Sequence, residues 1–126
     1  MVISRVPSLV AIGMTLAACG SGPPKTEVSA SIAAANNAAD HARTDGALAA
    51  APATMADALQ KLSQAQAAAK DDERETAIRL ANEAKADADL ADATSQAARA
   101  EAASQAVNSD LGTLRQTTAP KPGVLP

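Results

Sequence analysis

The 126-residue chain contains no phenylalanine, tyrosine or tryptophan, and it has one cysteine and one histidine. Without aromatic rings there is no stacking platform for single-stranded nucleic acid. A single cysteine excludes an internal disulfide framework and a cysteine-based zinc site. A formal net charge of −3 argues against a phosphate-backbone partner, so no nucleic acid is expected. The length allows one domain. The one long apolar run lies at the N-terminus and has about a dozen residues, short of the roughly 20 that a membrane-spanning helix needs. Strand-forming β-branched residues are scarce beyond it, which makes a sheet improbable. The chain is filled instead with alanine, at 35 of its positions.

The N-terminus carries an address. Met1 to Arg5 form a basic start, and Val6 to Ala17 an apolar stretch, the pattern of a secretion signal. The stretch ends Leu16-Ala17-Ala18-Cys19-Gly20, which resembles the bacterial lipobox. That resemblance implies a lipoprotein signal peptide over residues 1–18 and lipid attachment at Cys19, which becomes the first mature residue. Several acyl chains on one residue make a stable anchor, each buried methylene adding about 0.8 kcal/mol. Gly20, where an aspartate would signal retention, resembles the pattern sorted to the outer membrane, with the chain facing the periplasm. Gly20, Gly22, Pro23 and Pro24 then oppose helix and sheet, so residues 19–26 read as a lipidated flexible tether. Pro120, Pro122 and Pro126 suit a disordered tail over residues 118–126.

Residues 27–117 read as an alanine-rich helical domain. From Ala53 to Ala119 there is no proline and one glycine, Gly112, in a composition that favours helix. The spacing predicts three helices. The first runs from Glu27 to Thr44, with Val28, Ile32, Ala35, Ala39 and Ala42 on one face. Asp45-Gly46 is its expected stop, Gly46 taking the left-handed conformation, with continuation through Ala47-Leu48-Ala49 as the alternative. The second starts at Pro52, suited to a first helical position. It puts Met55, Leu59, Leu62, Gln66 and Ala69 on one face, with Asp57 and Lys61 as an i,i+4 pair. The third starts at Asp72, which with Glu75 resembles a capping box. Ala77, Ala84, Ala91 and Ala98 repeat every seven residues, Ala81, Ala88, Ser95 and Ala102 form a second register, and Leu80 sits beside the seam. At some 40 residues this helix would be about 60 Å long, against about 28 Å for the second. Its end must therefore protrude, fold back, fray or meet another chain. The expected architecture is all-α: an alanine-rich helical hairpin or three-helix bundle whose long third helix has coiled-coil character. Each alanine buries little, so its stability is expected to be marginal.

The order Ala51-Pro52, Lys61-Leu62, Ala65, the acidic turn Asp71-Asp72, and the run from Leu80 through Ala91 resembles the domain-of-unknown-function family 4398 of envelope lipoproteins. The likeness covers roughly residues 28–103. It implies a helical periplasmic module with no catalytic residues to carry over. Some relatives continue into a peptidoglycan-binding domain like that of outer-membrane protein A. This sequence runs to Lys121-Pro122-Gly123-Val124-Leu125-Pro126, so neither that domain nor a lysine joined to the wall is expected, and wall contact through either is not predicted.

Chemistry-bearing residues are few. His41 lies near Asp40 and Asp45, and Glu83, Asp87, Asp89 and Asp92 form an acidic patch close to Arg79 and Lys85. Either set has elements of a metal site, yet solvated charge on helix faces accounts for both, so neither a metal nor another cofactor is expected. A Ser-His-Asp arrangement would have to use His41, which lies on an alanine-rich helix without a neighbouring strand or glycine-rich turn. No catalytic residue and no enzymatic activity are expected. The expected function is a non-enzymatic outer-membrane lipoprotein exposing a structural or adaptor module, its partner a second copy or another helical envelope protein. The alternative is a binding module for a lipid, small ligand or cell-wall fragment. The lack of aromatics weighs against it, because small-molecule pockets are usually lined by them.

Overall fold

The computed structural model describes residues 22–119 and Gly123. Helix α1 spans Lys25–Thr44, α2 Ala47–Ala50, α3 Pro52–Lys70 and α4 Arg74–Thr118. No strand occurs among the described residues. The signal peptide, Cys19 to Ser21 of the tether and most of the tail lie outside them. Lys25 and Thr118, placed by the sequence in tether and tail, are the helical ends of α1 and α4.

The first connection follows from its glycine. Gly46 takes φ 82°, ψ 20°, a conformation that costs L-residues with a Cβ. Its N–H donates to the Arg43 carbonyl at 3.1 Å, closing α1. The chain then makes the single turn α2 before Pro52 opens α3 at its first position.

The second connection differs from the expected capping box. Asp72 is not an N-cap: it sits at φ 60°, one residue past the C-cap of α3. The Glu73 N–H donates to the Ala68 carbonyl at 2.9 Å, the six-residue closure of a Schellman turn. Asp72 thus fills the left-handed position usually held by glycine, which aspartate tolerates better than most residues. Its carboxylate accepts from Arg74 Nε at 3.0 Å and Nη2 at 3.2 Å. Helix α4 consequently starts at Arg74, with Glu73 before it and no side-chain cap.

Three long-range contacts fix the helix directions. Arg74 Nη1 donates to the Pro23 carbonyl at 3.4 Å, and Ser95 Oγ to the Asp45 carbonyl at 2.6 Å, so α1 runs parallel to α4. Lys61 Nζ donates to Asp87 Oδ2 at 2.6 Å, so α3 runs back along α4. The result is an up-down-up bundle in which α1 and α3 both pack chiefly on α4.

The core is built of methyl groups. Buried positions include Ala35, Ala39 and Ala42 on α1, Met55, Ala58, Leu62 and Ala65 on α3, and Ala81, Ala84, Ala88 and Ala91 on α4. Val28, Ala68 and Ala77 form a smaller cluster at the other end. Among the described residues Met55 is the one large hydrophobic side chain that is fully buried. On α4 both predicted registers are buried, from Ala77 through Ser95, and Leu80 packs beside them. On α3 the face is rotated from expectation: Ala58, Ala65 and Ala68 are buried, Leu59 and Ala69 are half-buried, and Gln66 is exposed. Alanine occupies both candidate faces of α3, so its spacing does not separate them. Ala98 and Ala102, which continue the α4 repeat, are exposed. The partner helices have ended there.

Candidate functional site

Helix α4 has 45 residues, about 68 Å at 1.5 Å each, whereas α3 with 19 covers about 28 Å. The surplus projects from one end of the bundle. From Gln96 to Thr118 every residue except Gly112 is exposed. Val107, Leu111 and Leu114 are 57%, 43% and 58% exposed, a concentration of apolar surface that a soluble helix does not need.

The base of the projection is held by the end of α1. The Asp45 carbonyl, left without an intrahelical partner, accepts from Ser95 Oγ and from Arg99 Nη2. Arg99 Nη1 also lies 3.5 Å from Asp45 Oδ1. Residues 50 and 54 apart are thus joined by one peptide oxygen.

His41 stands beside this junction. Its Nδ1 is 3.6 Å from Asp45 Oδ2 and 3.4 Å from Asp92 Oδ2. The sequence offered Asp40 and Asp45 as its companions. Asp40 turns to Arg43 instead, at 3.2 Å, and Asp92 arrives from the acidic run of α4. That pairing across helices has no signature in sequence spacing. One ligand atom from each of His41, Asp45 and Asp92 lies within 4.8 Å of the others, so these three are the described residues able to share a cation. Protein groups already engage two of them: Asp45 faces Arg99, and Asp92 Oδ2 accepts from Gln96 Nε2 at 2.8 Å. Asp92 Oδ1 is buried and unpartnered.

The rest of the acidic patch does not act as a unit. Glu83 pairs with Arg79 at 2.8 Å, Asp87 with Lys61 at 2.6 Å and Asp89 with Lys85 at 2.5 Å. The expected Asp57–Lys61 pair is replaced by Lys61–Asp87, which ties α3 to α4. The hydrogen bond to Asp87 holds the Lys61 ammonium above its ordinary pKa, with the charges of Asp87, Glu83 and Asp57 adding to the effect against partial desolvation.

None of the described hydrogen bonds joins His41 to a hydroxyl: the Ser95 Oγ nearby donates to the Asp45 carbonyl. The fold and the site give no sign of catalysis. Surface grooves are open. The one between α1 and the α3–α4 turn, about 380 Å³, is lined by Val28, Ile32, Ala33 and Ala69 with Lys25 and Arg74 at its edge.

A family model, Domain of unknown function (DUF4398), matches residues 30–107. No curated protein and no solved structure matches the chain.

Proposed function

The chain belongs to the DUF4398 family, and from that premise we propose that it is a non-enzymatic outer-membrane lipoprotein, exposing a helical adaptor to the periplasm. The carrying observation is the exposed α4 projection, anchored at its base by Asp45, Ser95 and Arg99. A braced rod with apolar side chains along it suits docking of another helix. Open grooves without aromatic walls suit enclosure of a small ligand less well.

The anchor reading rests on the sequence Leu16-Ala17-Ala18-Cys19-Gly20. The Cys19 sulfur takes the diacylglyceryl group of a phospholipid: a carbon–sulfur bond forms as the carbon–oxygen bond to the phosphate breaks, and the thiol proton leaves. Hydrolysis of the Ala18–Cys19 peptide bond frees the amine for a third acyl chain. No described helix is long and apolar enough to cross a membrane.

Radiolabelled palmitate given to cells tests this. The wild-type chain is expected to take up label and to sediment with outer membranes. Cys19→Ser is expected to do neither. A Cys19→Ser chain that stays with the membrane would remove the anchor from the proposal.

A further inference from the structure

We propose that the projecting part of α4 pairs with the same segment of a second copy, in parallel and in register. The inference rests on the adaptor reading of this helix and names its partner; it does not rest on catalysis or on a ligand.

Three observations carry it. The first is the stripe. Ala100, Ser104, Val107, Leu111, Leu114 and Thr118 alternate at spacings of four and three, the seam of a two-stranded coiled coil. Leu90, 58% exposed, continues it towards the bundle. The stripe lies roughly 140° around α4 from the buried alanine seam, at 100° per residue. A second helix therefore meets α4 on the side away from α1 and α3.

The second is the helix itself. Beyond Ala102, which lines an open groove beside the α1–α2 connection, α4 continues to Thr118 with no packing partner among the described residues. This segment contains Ser104, Asn108, Ser109, Gly112, Thr113 and Thr117, all weaker helix formers than alanine. Isolated helices of about 15 residues are marginal in water even when alanine-rich. A partner helix supplies the packing that propensity does not.

The third is charge. Asp110 and Arg115 flank the stripe on opposite sides, and neither pairs with a counter-charge among the described residues. They are five residues apart, the offset between flanking positions that meet across a parallel coiled coil. Each Asp110 then faces Arg115 of the other copy, twice by symmetry, and no like charges meet. An antiparallel pairing through the same layers sets Glu101 against Arg115 but also brings the two Asp110 side chains together.

Cysteine crosslinking in intact cells tests the pairing. Ser104 lies in the seam, where its counterpart is adjacent only in the parallel, in-register dimer. Ser109 points outward. Two thiols brought together lose two electrons and two protons to an added copper–phenanthroline oxidant. In the native lipoprotein, Ser104→Cys is expected to give a band of twice the monomer mass, containing both a tagged and an untagged copy. The unsubstituted chain and Ser109→Cys are expected to give none. In the Ser104→Cys background, Asp110→Arg is expected to lower the yield about five-fold, and adding Arg115→Asp to restore it. No Ser104→Cys dimer, equal crosslinking by Ser109→Cys, or failure of the double swap to restore the yield would each overturn the proposal. A chain that crosslinks only to a different envelope protein would overturn it too, while leaving the adaptor reading standing. All substituted positions are exposed, and circular dichroism of each variant verifies the fold.

Discussion

Ser95 Oγ donates to the main-chain oxygen of Asp45 at 2.6 Å, and Ser95 is the one buried polar residue described. The same oxygen also accepts from Arg99. Either donor alone satisfies the carbonyl, so single losses are mild and joint loss is not. Ser95→Ala and Arg99→Ala are each expected to cost about 1 kcal/mol or less. The double variant leaves a helix-terminal carbonyl without a protein donor and is expected to cost more than the sum. Thermal melts followed at 222 nm measure this cycle. Additive losses would show that the two donors act independently.

Two ion pairs should lose their contribution to stability at opposite extremes of pH, for separate reasons. Lys61 is raised by its hydrogen bond to Asp87. Its contribution is complete below the ordinary lysine value and is lost as pH climbs through the folded-state value. Asp72 is lowered first by its hydrogen bond from Arg74, then by the charges of Arg74 and Lys25. Its contribution is complete above the ordinary aspartate value and is lost as pH falls through the folded-state one. Both contributions are therefore complete between about pH 5 and pH 9. Asp87→Asn is expected to weaken the alkaline decline and leave the acid one in place. The chain has no tyrosine, so phenol ionisation does not obscure the alkaline arm. An unchanged alkaline decline in Asp87→Asn would assign it to other lysines.

The bundle was legible in the sequence wherever a residue type has one conformational use. Gly46 and Pro52 mark the ends of α1 and α3 because a left-handed φ and a fixed first-turn φ suit them better than other residues. The α4 seam was legible because its repeat is long. The α3 face was not, since Ala58, Ala65 and Ala68 compete with Leu59, Gln66 and Ala69 at the same period and alanine barely distinguishes inside from outside. Asp72 was misread because aspartate serves both a helix start and a left-handed helix end, and only the Glu73–Ala68 hydrogen bond separates the two. The companions of His41 and Lys61 were hidden for a different reason. Asp92 and Asp87 lie on another helix, and their partners follow from how α1 and α3 lie on α4.

An alanine core reverses the usual order of mutational costs. In a leucine-rich interior, truncation is the common injury. Here nearly every buried side chain is already at the minimum. Met55 is fully buried and large, so Met55→Ala is expected to cost about 2–5 kcal/mol, and in a bundle this small that approaches global unfolding. Elsewhere the sensitive direction is enlargement. Ala88 is 0% exposed and sits where α4 meets its neighbours. Ala88→Leu forces the helices apart and is expected to cost about 1–3 kcal/mol or more. Ala86, two residues away and exposed, controls for helix propensity: Ala86→Leu should change stability by less than about 0.5 kcal/mol. Urea melts by circular dichroism compare all three. If Ala88→Leu proves as harmless as Ala86→Leu, the helices are not in close contact along this seam.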